Sequence, residues 1–268
     1  MEQLYVFGTG NAAVTRYYNT CFAIRDEDQY FMVDAGGGNG ILRILENMQV
    51  DYPQIHHLFV THEHTDHLLG VVWMVRFIAT RMLSGTYEGD FNIYCHEDLV
   101  PTIDTFCRLT LQGKFYRLIG PQIHLIPVHD GETVHILDYD VTFFDIHSTK
   151  AKQYGFTTIL KNGRRLTCAG DEPYNPLCAP YVESSDWLLH EAFCLYEERE
   201  RFKPYEKHHS TVKDACELAE SLHIPNLVLW HTEDKTTVGC RKERYMAEGR
   251  PYYHGNLHIP DDGEILNL

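Results

Sequence analysis

Seven residues, Thr61-His62-Glu63-His64-Thr65-Asp66-His67, constrain this chain more than any other stretch. They place three imidazoles and a carboxylate between positions 62 and 67. The run before them, Ile55 to Val60, reads as a strand, and Leu68 to Met82 carries apolar residues at helical spacing. The cluster therefore occupies a strand-to-helix turn. On extended backbone, His62 and His64 point the same way because they are two apart, while Asp66 and His67 open the helix and turn toward a second direction. One loop can thus offer donors to two adjacent metal ions. Imidazole combined with carboxylate suits zinc, and also iron or manganese. A polar surface turn is the plainer reading of a motif this short. Partners further along the chain weigh against it.

Those partners share a position. His147 follows Phe143-Phe144-Asp145-Ile146, Asp171 follows Cys168-Ala169-Gly170, and His231 follows Asn226 to Trp230. Each comes after an apolar run that reads as a buried strand, where a rigid scaffold presents functional groups. The other histidines, including His56, His57, His124, His129, His135 and His254, lack that context and are expected to be structural or on the surface.

Composition narrows the function classes. A chain of 268 residues with 44% hydrophobic content is an ordinary globular protein, one large domain or two small ones. No apolar run approaches the length of a membrane span. The opening Met1-Glu2-Gln3-Leu4 lacks a basic region followed by an apolar core, so no signal peptide is expected. Eight cysteines are scattered without a Cys-x-x-Cys pair. That fits buried thiols in a reducing, cytoplasmic setting. The formal net charge of −15 argues against broad nonspecific affinity for nucleic acid or acidic membranes. A small anionic substrate stays open, because two divalent ions would reverse the local field.

In chain order, Leu4 to Phe7, Asn19 to Ile24 and Tyr30 to Val33 read as an antiparallel meander. Asp34 either supports the metal loop or caps the next helix, Ile41 to Met48. Phe91 to Cys95 reads as a strand and Leu99 to Leu111 as a helix. From His124 the pattern returns to short strands: His124 to Val128, Thr133 to Leu137, Val141 to Ile146, Gly155 to Lys161 and Arg165 to Ala169. Asn162-Gly163 signals a hairpin turn. Ser210 to Leu222 reads as a helix, and Tyr252 to Ile265 as a closing hairpin. The expected class is α/β, two sheets packed face to face with helices outside, as a single domain over residues 1–268.

His62-x-His64-x-Asp66-His67, followed in order by His147, Asp171 and His231, resembles the metallo-β-lactamase fold over nearly the whole chain. The resemblance implies a four-layer αβ/βα sandwich of two mixed sheets holding two divalent ions, zinc first, with Mn2+ or Fe2+ also suited. It implies that His62, His64 and His147 hold one ion, that Asp66, His67 and His231 hold the other, and that Asp171 bridges them. Three further segments, Phe7-Gly8-Thr9-Gly10, Leu189-His190-Glu191-Ala192-Phe193 and His209-Ser210-Thr211, resemble ribonuclease Z and its phosphodiesterase relatives. That likeness implies that His209 donates a proton, with Glu191 as its partner. The plainer reading makes Ser210 or Thr211 a helix N-cap and His209 a surface residue.

Ribonuclease Z usually carries a long arm for transfer RNA, in bacterial forms inserted between the third histidine and the bridging aspartate. Here His147 and Asp171 stand 24 positions apart, with no room for it. Together with the acidic charge, this favours a small or short nucleotide phosphodiester over transfer-RNA 3′ processing. The implied chemistry is attack by a water shared between two ions and acidified to about pKa 7, with Asp66 orienting it and His209 protonating the leaving group. Hydrolysis of a carbonyl ester, lactone, thioester or β-lactam is the alternative. Flavin-linked diiron members usually carry Glu where His64 stands. A nonenzymatic binding protein would normally have lost ligands, and none is missing. No membrane partner is expected, and a homodimer is left open. The charged segment from Tyr196 to Lys207 is either a substrate lid or a solvated helix face.

Overall fold

The computed structural model describes residues 2–268 and divides into two compact units. The first comprises Met1–Gly8, Tyr18–His129 and Gly263–Leu268; the second comprises Thr9–Tyr17 and Asp130–Asp262.

The first unit holds β1 (Gln3–Gly8), β2 (Cys21–Asp26), β3 (Gln29–Val33), α1 (Gly40–Asn47), β4 (Ile55–Phe59), α2 (Thr65–Ser84), β5 (Phe91–His96), α3 (Val100–Thr110), α4 (Gly113–Tyr116) and β6 (Ile123–Val128). The last strand of the chain, β14 (Ile265–Asn267), returns to it. Its sheet has seven strands among the described residues, in the order β14-β1-β2-β3-β4-β5-β6. Strands β1 to β3 form the expected antiparallel meander, and β3 to β6 run parallel. Parallel strands need crossover connections, and the sequence supplies amphipathic helices for them. On α2 the buried positions Leu68, Val71, Val75, Ile78 and Ala79 recur every three to four residues and face a core with Ile41, Leu58, Ile93 and Ile103. Gly85 ends α2 in a left-handed conformation, φ 71°. Its N–H donates to Met82 O and that of Thr86 to Arg81 O. At 20 residues and a mean hydropathy of 1.2, α2 is long and apolar enough to cross a membrane, contrary to the sequence expectation. Here it is the core helix of its unit.

The second unit holds β7 (Thr133–Ile136), β8 (Tyr139–Asp145), β9 (Tyr154–Ile159), β10 (Arg165–Cys168), α5 (Ala179–Val182), β11 (Trp187–Glu191), α6 (Arg199–Phe202), α7 (Val212–Ser221), β12 (Asn226–Trp230), α8 (Arg241–Gly249) and β13 (Asn256–His258). Its sheet order is β13-β12-β11-β10-β9-β8-β7. Strands β7 to β10 are antiparallel and β10 to β13 parallel. The β9–β10 hairpin turns at Asn162-Gly163 as expected, with Gly163 at φ 83°. It fills the interval between His147 and Asp171, where an arm would have to begin.

Two expectations need correction. β6 belongs to the first sheet, paired parallel with β5, and not to the later block of strands. The closing hairpin does not form. β13 pairs parallel with β12, whereas β14 pairs antiparallel with β1. The apolar alternation of residues 252–265 is that of two strands serving different sheets, and periodicity alone does not reveal a partner.

Candidate metal centre

In both sheets several candidate donors lie just beyond the carboxyl ends of strands with a parallel partner, the edge at which open α/β sheets present ligand-binding groups, whereas His147 follows the antiparallel β8. In the first unit these are Asp34 after β3, Thr61 and His62 after β4, and His96 at the end of β5. In the second, Asp171 follows β10, Glu191 ends β11 and His231 follows β12.

The motif at residues 61–67 is tightly tied within its own unit. Asp34 is 4% exposed and left-handed, φ 55°. Its carboxylate accepts from Thr61 N at 2.9 Å and Thr61 Oγ1 at 2.8 Å, and lies 2.7 Å from His67 Nδ1. Of the two readings of Asp34, contact with the loop at residues 61–67 is the one observed; α1 begins later, after Asn39. With Nδ1 bonded to Asp34, His67 presents Nε2, which lies 3.4 Å from Asp66 Oδ2. Carboxylate–histidine pairing of this kind fixes the tautomer and ring orientation of a metal-binding histidine. The ligand atoms of His62 and His67 lie within 4.8 Å of one another, as do those of Asp66 and His67. His62 Nε2 approaches His64 Nδ1 to 2.9 Å, and His62 Nδ1 meets the Thr61 hydroxyl at 2.9 Å. All four predicted donors of this loop are brought together. His62, Asp66 and His67 are buried and His64 is half-buried, and such a set of imidazole and carboxylate fits a divalent ion.

Gly70 sets how closely α2 can approach that loop. A Cβ there would stand 1.8 Å from Ala35 O, so only glycine lets the helix touch the segment after β3. Gly70 N donates to Gly36 O at 2.8 Å, and Ala35 N donates to His67 O at 3.3 Å.

In the second unit, Asp171 Oδ2 lies 3.6 Å from His231 Nε2, and both residues are buried. The His231 ring packs at a tilt against His209, centroids 5.3 Å apart, and His209 stacks on Phe193 at 5.1 Å. His209 Nδ1 lies 3.5 Å from Glu191 Oε2, an electrostatic contact rather than a closed hydrogen bond. Glu191 is fully buried, and its other oxygen accepts from Ser210 N. Burial disfavours the charged His209 ring. The Glu191 carboxylate outweighs it, as proton acceptor and as charge, so the pKa lies above the ordinary histidine value. The capping expectation holds for Thr211, which forms a capping box with Asp214 at the start of α7. His209 is no surface residue: its side chain is 11% exposed.

His147 differs from the other predicted donors. It is exposed, and among the described residues its ring makes no hydrogen bond, ion pair or ring contact; its N–H donates to Asp145 Oδ1 at 2.7 Å. It is also left-handed, φ 58°, as is His231, φ 57°.

Sequence reasoning missed three participants. The Thr61 hydroxyl links Asp34 to His62. His96 is buried at the end of β5 with Nε2 3.9 Å from Glu63 Oε2, and the strand-end signal that found His231 would have found it. Arg241 had no signal, being a charged residue at a helix start. The segment Tyr196 to Lys207 is a chain of short turns with Phe202 buried, pinned by Arg244 to Glu197 at 2.5 Å, and so not one solvated helix face.

The fold these sheets define is the metallo-β-lactamase fold. The chain superposes on the metallo-β-lactamase fold protein YhfI from Bacillus subtilis with a TM-score of 0.79 at 16% identity, covering 99% of this chain and 98% of that one. The human short form of tRNase Z, ELAC1, gives 0.75 at 19% identity, with 99% and 98% covered. In sequence the chain is ribonuclease Z-like, being 22% identical over 272 residues to the ribonuclease Z of Parabacteroides distasonis, across 84% of this chain and 87% of that relative. It belongs to the family described as Anti-Pycsar protein Apyc1, which matches residues 2–247.

Proposed function

We propose that this chain is a metal-dependent hydrolase that cleaves phosphodiester bonds in small or nucleotide-like substrates. The observation that carries the reading is the largely buried His209, paired with Glu191 and packed at a tilt against His231. A leaving alkoxide needs a proton, and a positioned histidine supplies one near neutral pH. Relatives named ribonuclease Z and a structural neighbour described as a diphosphatase of the PhnP family support phosphoryl chemistry.

In this reading His62, His64, Asp66, His67, His147, Asp171 and His231 would hold two divalent ions. When bound, the ions supply Lewis acidity to the attacked phosphoryl group. Asp34 keeps His67 in the tautomer that presents Nε2. The Asp66 carboxylate accepts a hydrogen bond from the attacking water and so orients it. His209 carries its proton toward the leaving oxygen, and Glu191 holds the ring in the orientation that allows the transfer. Zinc is the first choice of ion, since imidazole and carboxylate donors suit it.

The test is turnover by metal-loaded protein of phosphodiesters, lactones, thioesters and β-lactams, with ion content measured in the same samples. Phosphodiester turnover is expected. His209→Ala should keep its ions and lose about 10²–10⁴-fold on substrates with poor leaving groups. Nitrophenyl phosphodiesters, whose leaving group needs little protonation, should suffer less. Turnover confined to lactones or thioesters would refute the phosphodiesterase reading.

A further inference from the structure

The Phe7-Gly8-Thr9-Gly10 run has so far no role in the chemistry, yet it is tied to one of the proposed ligands. Thr232, the residue after His231, donates its N–H to Thr9 O at 3.0 Å, and its carbonyl accepts from Asn11 N at 3.0 Å. Thr9 and Thr232 share a guanidinium. Arg241 Nη1 donates to Thr9 Oγ1 at 2.7 Å and to Thr232 Oγ1 at 2.9 Å, while Nη2 donates to Pro260 O at 2.6 Å and Asp261 Oδ1 at 2.8 Å. The guanidinium lies 3.9 Å from the Tyr17 ring centre. Arg241 is 2% exposed.

We propose that Arg241 is a positioning residue for His231, fixing the loop after β12 so that the histidine keeps its ring beside Asp171; this rests on the reading of His231 as a metal ligand. A non-glycine residue in the left-handed region persists only when its surroundings over-determine it. On one side of His231 that restraint is β12, hydrogen-bonded between β11 and β13. On the other side the partner is Thr9–Tyr17, a segment of turns and bends with one isolated bridge, Gly10 to Thr232, and with Ala12, Ala13, Thr15 and Arg16 exposed. Asp234 holds its far end, accepting from Arg16 N at 2.7 Å, and Thr9 Oγ1 donates to Asp262 Oδ1 at 2.7 Å. Arg241 is the group that joins the Thr9 end both to Thr232 and to the turn at Pro260–Asp261. Burying a guanidinium is costly, and an apolar residue would fill the space at lower cost. An apolar residue could not hold three chain segments in one orientation, whereas the planar fork of arginine can.

The experiment compares Arg241→Lys and Thr232→Val with a control, Tyr253→Phe, which loses a different buried hydrogen bond in the same unit, from Tyr253 Oη to Ile224 O at 2.7 Å. Full-length proteins are titrated with zinc, and the His231 ring and Thr232 amide are followed by NMR in the metal-free state. Arg241→Lys and Thr232→Val should bind one of two ions about 10–100-fold more weakly, the usual effect of removing an outer support. Both should show a displaced or broadened His231 ring signal and faster Thr232 amide exchange, with Tyr253→Phe unchanged in each respect. Unaltered zinc affinity in the folded Arg241 and Thr232 variants overturns the proposal, as does an equal loss in Tyr253→Phe. If the unmodified protein never takes two ions, the metal reading fails. The metal-free His231 signal still decides the positioning role, and an unshifted signal in both variants overturns it.

Discussion

His147 and His231 occupy matching places and differ in almost everything else. Each follows a strand of the second unit and each is left-handed. His231 is 2% exposed, flanked by Asp171 and His209, and the residue after it is tied to Thr9 and Arg241. His147 is exposed, and its own polar support is one bond from its N–H to Asp145. The same signal in the sequence thus yields one proposed ligand fixed in advance and one that would have to be ordered by an arriving ion. Ordering a side chain on binding costs about 0.5–1.5 kcal/mol, so the two histidines should contribute unequally to affinity.

The largest effect expected from that contrast is on metal binding. His231→Ala should weaken ion binding more than His147→Ala, by a margin on the order of tenfold, the equivalent of about 1.4 kcal/mol. Competitive zinc titration measures it, and equal losses would show that both rings are ready before the ion binds.

Stability comparisons between the two variants depend on pH, because other imidazoles titrate. Burial, assisted by the charge of His56, lowers the pKa of His57 to about 4. An unfolded chain binds that proton near pH 6.5, so the folded chain refuses a proton that the unfolded one accepts. Stability is therefore intact above about pH 6.5 and falls as the pH drops toward 4. The fall is at most about 3 kcal/mol, less after solvent screening of a half-buried ring. His209, whose pKa is raised, acts in the opposite sense. Its contribution in the metal-free protein is complete below about pH 6.5 and is lost as the pH climbs through its folded value. Denaturant unfolding of His57→Gln should show a flatter acid limb than the unmodified chain, and an unchanged limb would mean that His57 is already protonated in the folded state.

The smallest effect isolates the backbone. His147→Gly, read above pH 7 without metal, should gain about 1 kcal/mol, because glycine adopts a positive φ without strain. His231→Gly should lose stability, because its ring is packed. Thermal unfolding distinguishes them, and a loss in both would mean that the exposed ring of His147 packs in solution.

These contrasts mark where the sequence stops being informative. The cluster at residues 61–67 was legible because its donors are contiguous and strand-to-helix periodicity fixes their directions. His147, Asp171, Glu191, His209 and His231 were legible as residues, through their place after apolar runs or in segments resembling known ones. The degree to which each is held was not legible, because it depends on groups remote in sequence. Asp34 lies 33 positions from His67, and Thr9 lies 232 from Arg241. Residues 252–265 show the same limit for the fold, since the pairing of β13 and β14 is decided by the strands they meet.

The buried cysteines bear on which groups compete for an incoming ion. All eight thiols are free, and seven are buried. Burial pushes Cys95, Cys107 and Cys216 up to about 12 and Cys178 to about 11. A thiol binds metal as thiolate, so these sulfurs are silent toward a thiophilic ion at neutral pH. Histidines and carboxylates therefore meet the ion without rivalry from these four groups, which in a less compact chain would be the stronger zinc donors. A partly unfolded chain would lose that protection and scavenge the ion through its thiolates, so correct loading is coupled to completion of the core.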